Sequence, residues 1–167
     1  GEAKDVNPGA GGLLIIPLFS FAKGTMYGLS FGHTRKHVAR AILECNVYAI
    51  RFYITLMETM KVKPNEIRVD GGGAKSDLWN QIQSDVTGRP VVVPKVTEGS
   101  SLGAAMLAAV GVSMYKSVDE AVKKMVHFVD RKEPNKEHSR VYDKMYNAFK
   151  TQLMSVYLAK RVTGDVV

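Results

Sequence analysis

The 167-residue sequence is poor in cysteine and has no long apolar stretch. Its single cysteine, Cys45, excludes an internal disulfide, which fits a reducing cytosol and predicts a cytoplasmic protein. The longest apolar run, Leu13 to Phe21, has the length of a strand and contains Pro17, so we expect neither a membrane-spanning helix nor a membrane partner. The N-terminus also lacks a basic region followed by an apolar one, which argues against a signal peptide.

Acidic residues are the minority among the charged ones: 16 Asp and Glu stand against 23 Lys and Arg, so the formal net charge is +7. This excess favours anionic partners such as a nucleotide or a nucleic acid. The lysines are dispersed and no basic patch is interleaved with aromatic residues, so no nucleic-acid partner is predicted. A nucleic-acid-binding domain stays open as a third hypothesis, which strongly salt-dependent DNA binding would support.

The most informative segment runs from Ile67 to Leu78. A β-branched strand ends at Asp70, three adjacent glycines (Gly71–Gly73) follow, and a helix then begins. Glycines let the backbone turn sharply and expose its N–H groups, and the helix N-terminus adds unpaired donors and a partial positive charge. The pattern predicts a phosphate-binding loop, with a tight turn as the alternative. Lys75 is either a phosphate contact or a solvated lysine.

Two common glycine-rich fingerprints do not fit this loop. A Walker A loop needs glycine directly before Lys-Ser, but Ala74 stands there. The dinucleotide fingerprint needs a third glycine at a place that Lys75 or Ser76 takes. The loop therefore indicates a nucleotide site of another kind.

Other chemistry-bearing residues give weaker signals. His33 and His37 share a helix face, but no acid or third histidine extends the pattern, so no metal site is predicted. Cys45 lies on an apolar helix stripe and is expected to be inert core. The small-residue helix that begins near Glu98 suits close approach to a strand or to a ligand, and simple packing is the alternative.

Apolar periodicity and capping residues give a coarse order of elements. Thr34 is a candidate N-cap for a long amphipathic helix, Ser76 for a second one, and Ser117 opens a capping box with Glu120. Strands that alternate with helices imply parallel pairing with right-handed crossovers. The expected strands are 13–18, 24–30, 67–69 and 90–93, and the expected helices are 34–60, 76–87, 102–110, one from 117, and 136–160.

Three segments resemble the FGGY family of carbohydrate kinases. Gly24 to Leu29, seven further residues and then His37 to Glu44 are similar to the C-terminal signature of that family. Arg68 to Gly73, continuing through Gln83 to Val91, resembles its adenosine-binding segment. Glu98 and the run Leu102-Gly103-Ala104-Ala105 resemble its next helix, so the similarity covers roughly Gly11 to Val112, and xylulose kinase and glycerol kinase are the members it suggests.

The resemblance implies a fold and a reaction. The fold is α/β, ribonuclease H-like (actin-like ATPase), incomplete at its N-terminal side and with extra C-terminal helices. The family transfers the γ-phosphate of ATP, with Mg²⁺, to a hydroxyl of a sugar or polyol such as xylulose. Gly72 and Gly73 would line the α-phosphate and ribose, Gly71 would shape the loop, and Ser76 would lie near the adenine.

The same resemblance implies what this chain does not supply. The sugar-binding residues and the catalytic aspartate lie before residue 1, so no catalytic residue is assigned, and Asp70 is not promoted to that role. The sugar or polyol would be bound mainly by the N-terminal lobe. We expect a central strand upstream as well, whose absence leaves unpaired strand edges. Ser20 runs straight into Phe21 where the family has a loop after Pro17, so either that loop is deleted or its residues are missing from this sequence.

The expected organisation follows from these points. Residues 1–12 form a loose lead-in, 13–115 the C-terminal ATP-binding lobe, 116–160 appended helices of the same lobe, and 161–167 a tail. Alone, the chain is expected to bind ATP or ADP weakly and to phosphorylate nothing, and its long surface helices suit a homodimer. The alternative is a non-catalytic, actin-like nucleotide-binding or interaction module.

Overall fold

The computed structural model describes residues 2–17 and 24–163, which contain five strands and five α-helices. No helix in this part of the chain combines the length and the apolar character that crossing a bilayer requires. The strands are β1 (Leu14–Ile16), β2 (Thr25–Tyr27), β3 (Ile67–Arg68), β4 (Val91–Pro94) and β5 (Phe128–Lys132). The helices are α1 (Arg35–Thr59), α2 (Asp77–Thr87), α3 (Gly99–Gly111), α4 (Val118–Met125) and α5 (Lys136–Thr163).

The chain divides into two compact units. The first consists of Gly1–Pro64, Asp85–Gly88 and Pro134–Val167, and the second of Asn65–Ser84 and Arg89–Glu133. The first unit therefore contains β1, β2, α1 and α5. The second contains the sheet β3-β4-β5 with α3 and α4, and most of α2.

Helix α1 organises the first unit. It begins where the sequence predicts, with Thr34 as its N-cap, and His37 Nδ1 accepts the Thr34 backbone N–H at 3.2 Å. All three residues of β1 are buried, and β1 pairs antiparallel with β2. The aromatic rings of Tyr48 on α1 and of Tyr142 and Phe149 on α5 pack together in the core, with Tyr48 and Phe149 centroids 5.6 Å apart.

The lead-in over residues 2–12 is ordered rather than loose. Two short 3₁₀ turns, Glu2–Asp5 and Ala10–Gly12, lie in it, and the buried residues include Ala3, Val6 and Ala10. The backbone N–H of Gly9 donates to Glu44 Oε1 at 3.0 Å. The polar, glycine-rich composition conceals this because the contacts come from α1, more than thirty residues away in sequence.

The second unit is built on a β3–α2–β4 crossover. Strand β3 is parallel to β4, with Ile67 opposite Val91 and Arg68 opposite Val92, as the alternation of strand and helix predicts. Strand β5 adds antiparallel to β4, so β3 lies at one edge of the sheet, and over residues 2–17 and 24–163 no strand pairs with its other side. The buried core beneath contains Val69, Ala74, Val91 and Val93.

Strand β5 is absent from the predicted order, which has only helices after residue 116. Four of its five residues are exposed, so its apolar and polar residues do not alternate as in a half-buried strand. It is an edge strand whose pairing with β4 decides its conformation. The predicted extension of β1 to Leu18, and the missing loop between Ser20 and Phe21, lie outside the described residues.

Candidate functional site

The candidate site is the loop that leaves β3 and leads into α2, in the second unit. The Val69 N–H donates to the Val92 carbonyl at 3.3 Å, so pairing with β4 continues one residue beyond β3. Asp70 and the three glycines then depart from the sheet edge, and residues 70–73 are all exposed. The loop thus lies at the carboxyl end of two parallel strands, where α/β sheets commonly bind ligands.

Gly71 makes the turn. Its φ of +68° with ψ of −165° is a conformation that is essentially restricted to glycine. After it, Gly72–Lys75 form a single 3₁₀ turn, in which the Ala74 N–H donates to the Gly71 carbonyl at 3.2 Å. The predicted sharp bend is therefore present, and residue 71 is the position where the bend requires glycine.

The end of the loop that leads into α2 is held by hydrogen bonds from residues of that helix. Ala74 is 3 % exposed, and its carbonyl accepts the Asn80 Nδ2 amide at 2.8 Å. Asn80 is itself buried, and among the described residues its Oδ1 has no partner. Ser76 caps α2 as predicted, because its Oγ accepts the Trp79 N–H at 3.3 Å. The loop is thus anchored at Ala74 and Ser76 while its glycines stay exposed.

Gly72 is a glycine that the chain itself does not require. Its φ lies outside the left-handed region, and a Cβ built on it would meet nothing within 4 Å. Within the described part of the chain, the structure gives no hydrogen-bond partner to the Gly72 and Gly73 N–H groups. Two exposed donors and an uncovered α-carbon leave the backbone accessible to a ligand at this point.

The first residue of α3 and the segment just before it border one side of the loop. The Gly71 N–H donates to the Thr97 carbonyl, and the Asp70 carboxylate lies against Gly99. A carboxylate at this position complements the positive end of the α3 dipole. Contacts of the Gly71 amide and the Asp70 side chain with the start of α3 therefore set the position of the loop.

The only ion pair of the loop among the described residues joins Lys75 to Glu98. Lys75 Nζ lies 3.5 Å from Glu98 Oε1, and both side chains are largely exposed. A hydrogen bond from the Thr97 hydroxyl to Glu98, followed by the charge of Lys75, lowers the pKa of the Glu98 carboxyl. Lys75 therefore has an ionic partner, but that partner is exposed to solvent like Lys75 itself.

The structure places the four predicted site residues, Gly71, Gly72, Gly73 and Ser76, in one exposed loop with a glycine-dependent bend. Sequence reasoning finds neither Asn80, whose side chain reaches back from α2 to the Ala74 carbonyl, nor the contact between Asp70 and Gly99. No group of three or more His, Cys, Asp or Glu able to hold a metal ion occurs in the described residues.

Residues 6–112 match the sequence profile of the FGGY family of carbohydrate kinases, C-terminal domain. The chain is 37% identical over 153 residues to glycerol kinase 2 of Saccharolobus solfataricus, covering 86% of this chain and 30% of that protein. It is 40% identical over 119 residues to glycerol kinase of Deinococcus radiodurans, covering 65% of this chain and 24% of that protein.

Solved structures agree with the sequence relatives. Xylulose kinase from Rhodospirillum rubrum superposes with a TM-score of 0.82 at 32% identity, covering 93% of this chain and 33% of that one. A Plasmodium falciparum glycerol kinase with ADP superposes with a TM-score of 0.74 at 23% identity, which shows a shared fold, over 91% of this chain and 32% of that one.

The chain spans about a third or less of the length of these relatives. Its fold is the α/β, ribonuclease H-like fold of the actin-like ATPases, as the sequence predicts. The match covers well over half of the chain, and the relatives by sequence and by structure are kinases of one kind. The chain therefore belongs to the FGGY family of carbohydrate kinases, to whose C-terminal domain it corresponds.

Proposed function

We propose that this chain is the ATP-binding C-terminal portion of a kinase that transfers the γ-phosphate of ATP to a hydroxyl of a sugar or polyol. The observation that carries the proposal is the exposed backbone at Gly72 and Gly73, whose N–H groups have no hydrogen-bond partner among the described residues. A Cβ on Gly72 would meet nothing within 4 Å, so a ligand can approach this backbone closely.

In this proposal the glycine loop binds the nucleotide through its backbone. The N–H groups of Gly72 and Gly73 donate to the α-phosphate and the ribose, while Gly71 provides the bend. Ser76 lies near the adenine. Its oxygen accepts the Trp79 N–H, so its own hydroxyl proton is left to donate to a ring nitrogen of the base. Phosphoryl transfer depends mainly on positioning and charge neutralisation, and this loop contributes positioning.

Mg²⁺ accompanies ATP in the proposed reaction, where it neutralises phosphate charge. No group of three or more His, Cys, Asp or Glu that could hold the ion occurs in the described residues. We assign no ligand of the ion to this chain and derive no step through it. We likewise assign no catalytic base, and we propose that the chain alone phosphorylates nothing and that the base and most sugar contacts belong to an N-terminal lobe.

A pentulose such as xylulose is the first substrate candidate, and glycerol is the second because the sequence relatives compared above are glycerol kinases. We place the kinase in the cytoplasm, in keeping with its single, buried cysteine. A homodimer through the long helices, and the absence of a nucleic-acid partner, remain proposals. The second candidate function is a non-catalytic nucleotide-binding module, which also needs the glycine loop but no sugar substrate.

Isothermal titration of ADP into the chain tests the proposal, with Gly72→Asp as the variant. We expect weak binding that Gly72→Asp abolishes, because its carboxylate would occupy the open space and repel the phosphates. Gly111→Asp, at the opposite end of α3, serves as the control and should leave binding unchanged. Equal ADP binding by Gly72→Asp and the unaltered chain would refute the site assignment.

The reaction itself requires the whole kinase that contains this chain. ATP consumption should rise with one member of a panel of pentuloses, hexuloses and glycerol, and Gly72→Asp should remove that rise. ADP binding by the whole protein without consumption of ATP across the panel would instead favour the non-catalytic module.

A further inference from the structure

Lys75 is the basic residue nearest to the proposed nucleotide loop in sequence. No other Lys or Arg occurs between Arg68 and Arg89. Lys75 closes the 3₁₀ turn whose first residues are Gly72 and Gly73, so its backbone position is tied to the loop. Its ammonium lies 3.5 Å from the carboxylate of Glu98, which immediately precedes α3.

The ion pair between Lys75 and Glu98 can open at little cost, which leaves Lys75 able to bind another anion. Both side chains are about two-thirds exposed, and an exposed ion pair of this kind contributes little to the stability of a fold. The Thr97 hydroxyl donates to the same Glu98 oxygen at 3.2 Å, so the carboxylate keeps a partner when the lysine leaves. Of the other carboxylates close to Lys75 in sequence, Asp77 pairs with Lys132 at 2.6 Å, and Asp70 lies against Gly99.

We propose that Lys75 leaves Glu98 for the phosphates of a bound nucleotide, and that this new ion pair makes the loop select a nucleoside diphosphate over the nucleoside, while competition from Glu98 limits the preference. The inference rests on the proposed function. A diphosphate carries more negative charge than a carboxylate and attracts the ammonium more strongly, whereas adenosine offers no anion. Lys75 is then a specificity-determining residue, and Glu98 acts through it.

Single variants test both halves of the competition. Lys75→Met should weaken ADP binding by about fivefold and leave adenosine binding unchanged, which is the size of one exposed ionic contact. Glu98→Gln should strengthen ADP binding by about twofold, because the lysine no longer has a charged competitor. Lys123→Met, an exposed lysine on α4, is the matched control and should change neither affinity.

Binding is measured by fluorescence of the single tryptophan, Trp79. Its indole nitrogen lies 3.3 Å from the position of a Cβ built on Gly73, so a ligand on the loop should change its emission. Isothermal titration of ADP and of adenosine at low ionic strength gives the affinities independently. Repetition at high salt should reduce the difference between ADP and adenosine, because exposed charges are screened.

A double variant separates exchange from simple repulsion. If Glu98 acts through Lys75, Glu98→Gln should have no effect on ADP affinity in the Lys75→Met background. If Glu98 merely repels phosphate through space, the twofold gain should persist there, and the inference is overturned.

The remaining outcomes are also decisive. Equal ADP affinity in Lys75→Met and the unaltered chain overturns the inference but leaves the proposed nucleotide site standing, provided that Gly72→Asp still abolishes binding. Absence of ADP and adenosine binding in both the unaltered chain and the whole kinase overturns the inference together with the proposed function.

Discussion

The carboxylate of Asp70 lies against the α-carbon of Gly99, so closely that a Cβ at residue 99 would come within 2.6 Å of Asp70 Oδ2. The contact joins the start of the glycine loop to the first turn of α3 inside the second unit. It gives a reason for glycine at position 99 that is independent of any ligand.

We predict that Gly99→Ala leaves the stability of the chain nearly unchanged, because the higher helix propensity of alanine is offset when the Asp70 carboxylate rotates away from its place beside α3. The shifted loop should also bind ADP more weakly. Urea denaturation and ADP titration measure the two effects. Gly103→Ala is the control in the same helix, because a Cβ there meets nothing within 4 Å, and it should stabilise the chain by up to about 1 kcal/mol. Equal effects of the two substitutions would contradict this account of Gly99.

Gly72→Ala should separate stability from binding. A methyl group at residue 72 meets open space with an ordinary φ, so the free energy of unfolding should change by less than about 1 kcal/mol. ADP affinity should fall by at least about tenfold, because the methyl group occupies the approach of the ligand. Gly71→Ala should instead act on stability. An alanine at the φ of +68° that residue 71 adopts is strained, so the substitution should cost about 1–2 kcal/mol. Unchanged ADP affinity in Gly72→Ala would contradict the proposed contact.

Asn80→Ala should destabilise the chain by about 1–3 kcal/mol, because the buried carbonyl of Ala74 loses its donor at 2.8 Å. The loop is anchored through that carbonyl, so ADP affinity should fall too. Asn147→Ala, on the exposed face of α5, is the control and should stay within about 0.5 kcal/mol. Thermal unfolding of both variants measures the difference, and a stability for Asn80→Ala equal to that of the control would show that the anchor is dispensable.

Arg40→Met should destabilise the chain by about 3–5 kcal/mol near neutral pH, because it leaves the buried Glu44 carboxylate without its counter-charge. Arg40 Nε lies 2.7 Å from Glu44 Oε1, and the two side chains are 6% and 1% exposed. Arg35→Met, which breaks an exposed ion pair with Glu2 on the same helix, should cost less than about 1 kcal/mol. Urea titrations of the two variants should therefore differ clearly, and similar losses would mean that burial of the Arg40 pair is unimportant.

The loss in Arg40→Met should depend on pH. Burial raises the pKa of the Glu44 carboxyl, and the Arg40 guanidinium acts in the opposite direction. A raised pKa means that the contribution of Glu44 to stability is full below its ordinary pKa and is lost as pH rises through the raised one. Removing Arg40 raises this pKa further, so the stability deficit of the variant should shrink as the pH falls toward the ordinary pKa of a glutamate. A loss of stability in Arg40→Met that grows as the pH falls would contradict this expectation.

The local parts of the fold could be predicted from the sequence. Thr34 and Ser76 each begin a helix where the sequence places it, because a capping residue acts within one turn. The bend at Gly71 is likewise a property of its own backbone. Cys45 is buried as predicted, and burial raises the pKa of its thiol to about 11, which keeps it unreactive.

What the sequence could not show depends on partners that are distant along the chain. Asp70 contacts Gly99, and Gly9 donates a hydrogen bond to Glu44, which follows it by 35 residues. Contacts between such distant residues leave no periodic signal in the sequence. Strand β5 consists mainly of exposed residues, and its pairing with β4 supplies the order that its composition does not. The glycine bend was predictable because its glycines are contiguous, whereas Asn80, which supports the loop, resembles any polar helix residue.

The most direct test of the central claim is a crystal structure of the chain, or of the whole kinase, with ADP. The account predicts that the α-phosphate or ribose lies within hydrogen-bonding distance of the Gly72 and Gly73 N–H groups, with the adenine on the Ser76 side. An ADP molecule bound away from this loop, or a loop whose glycines are covered by other protein atoms in that structure, would contradict it.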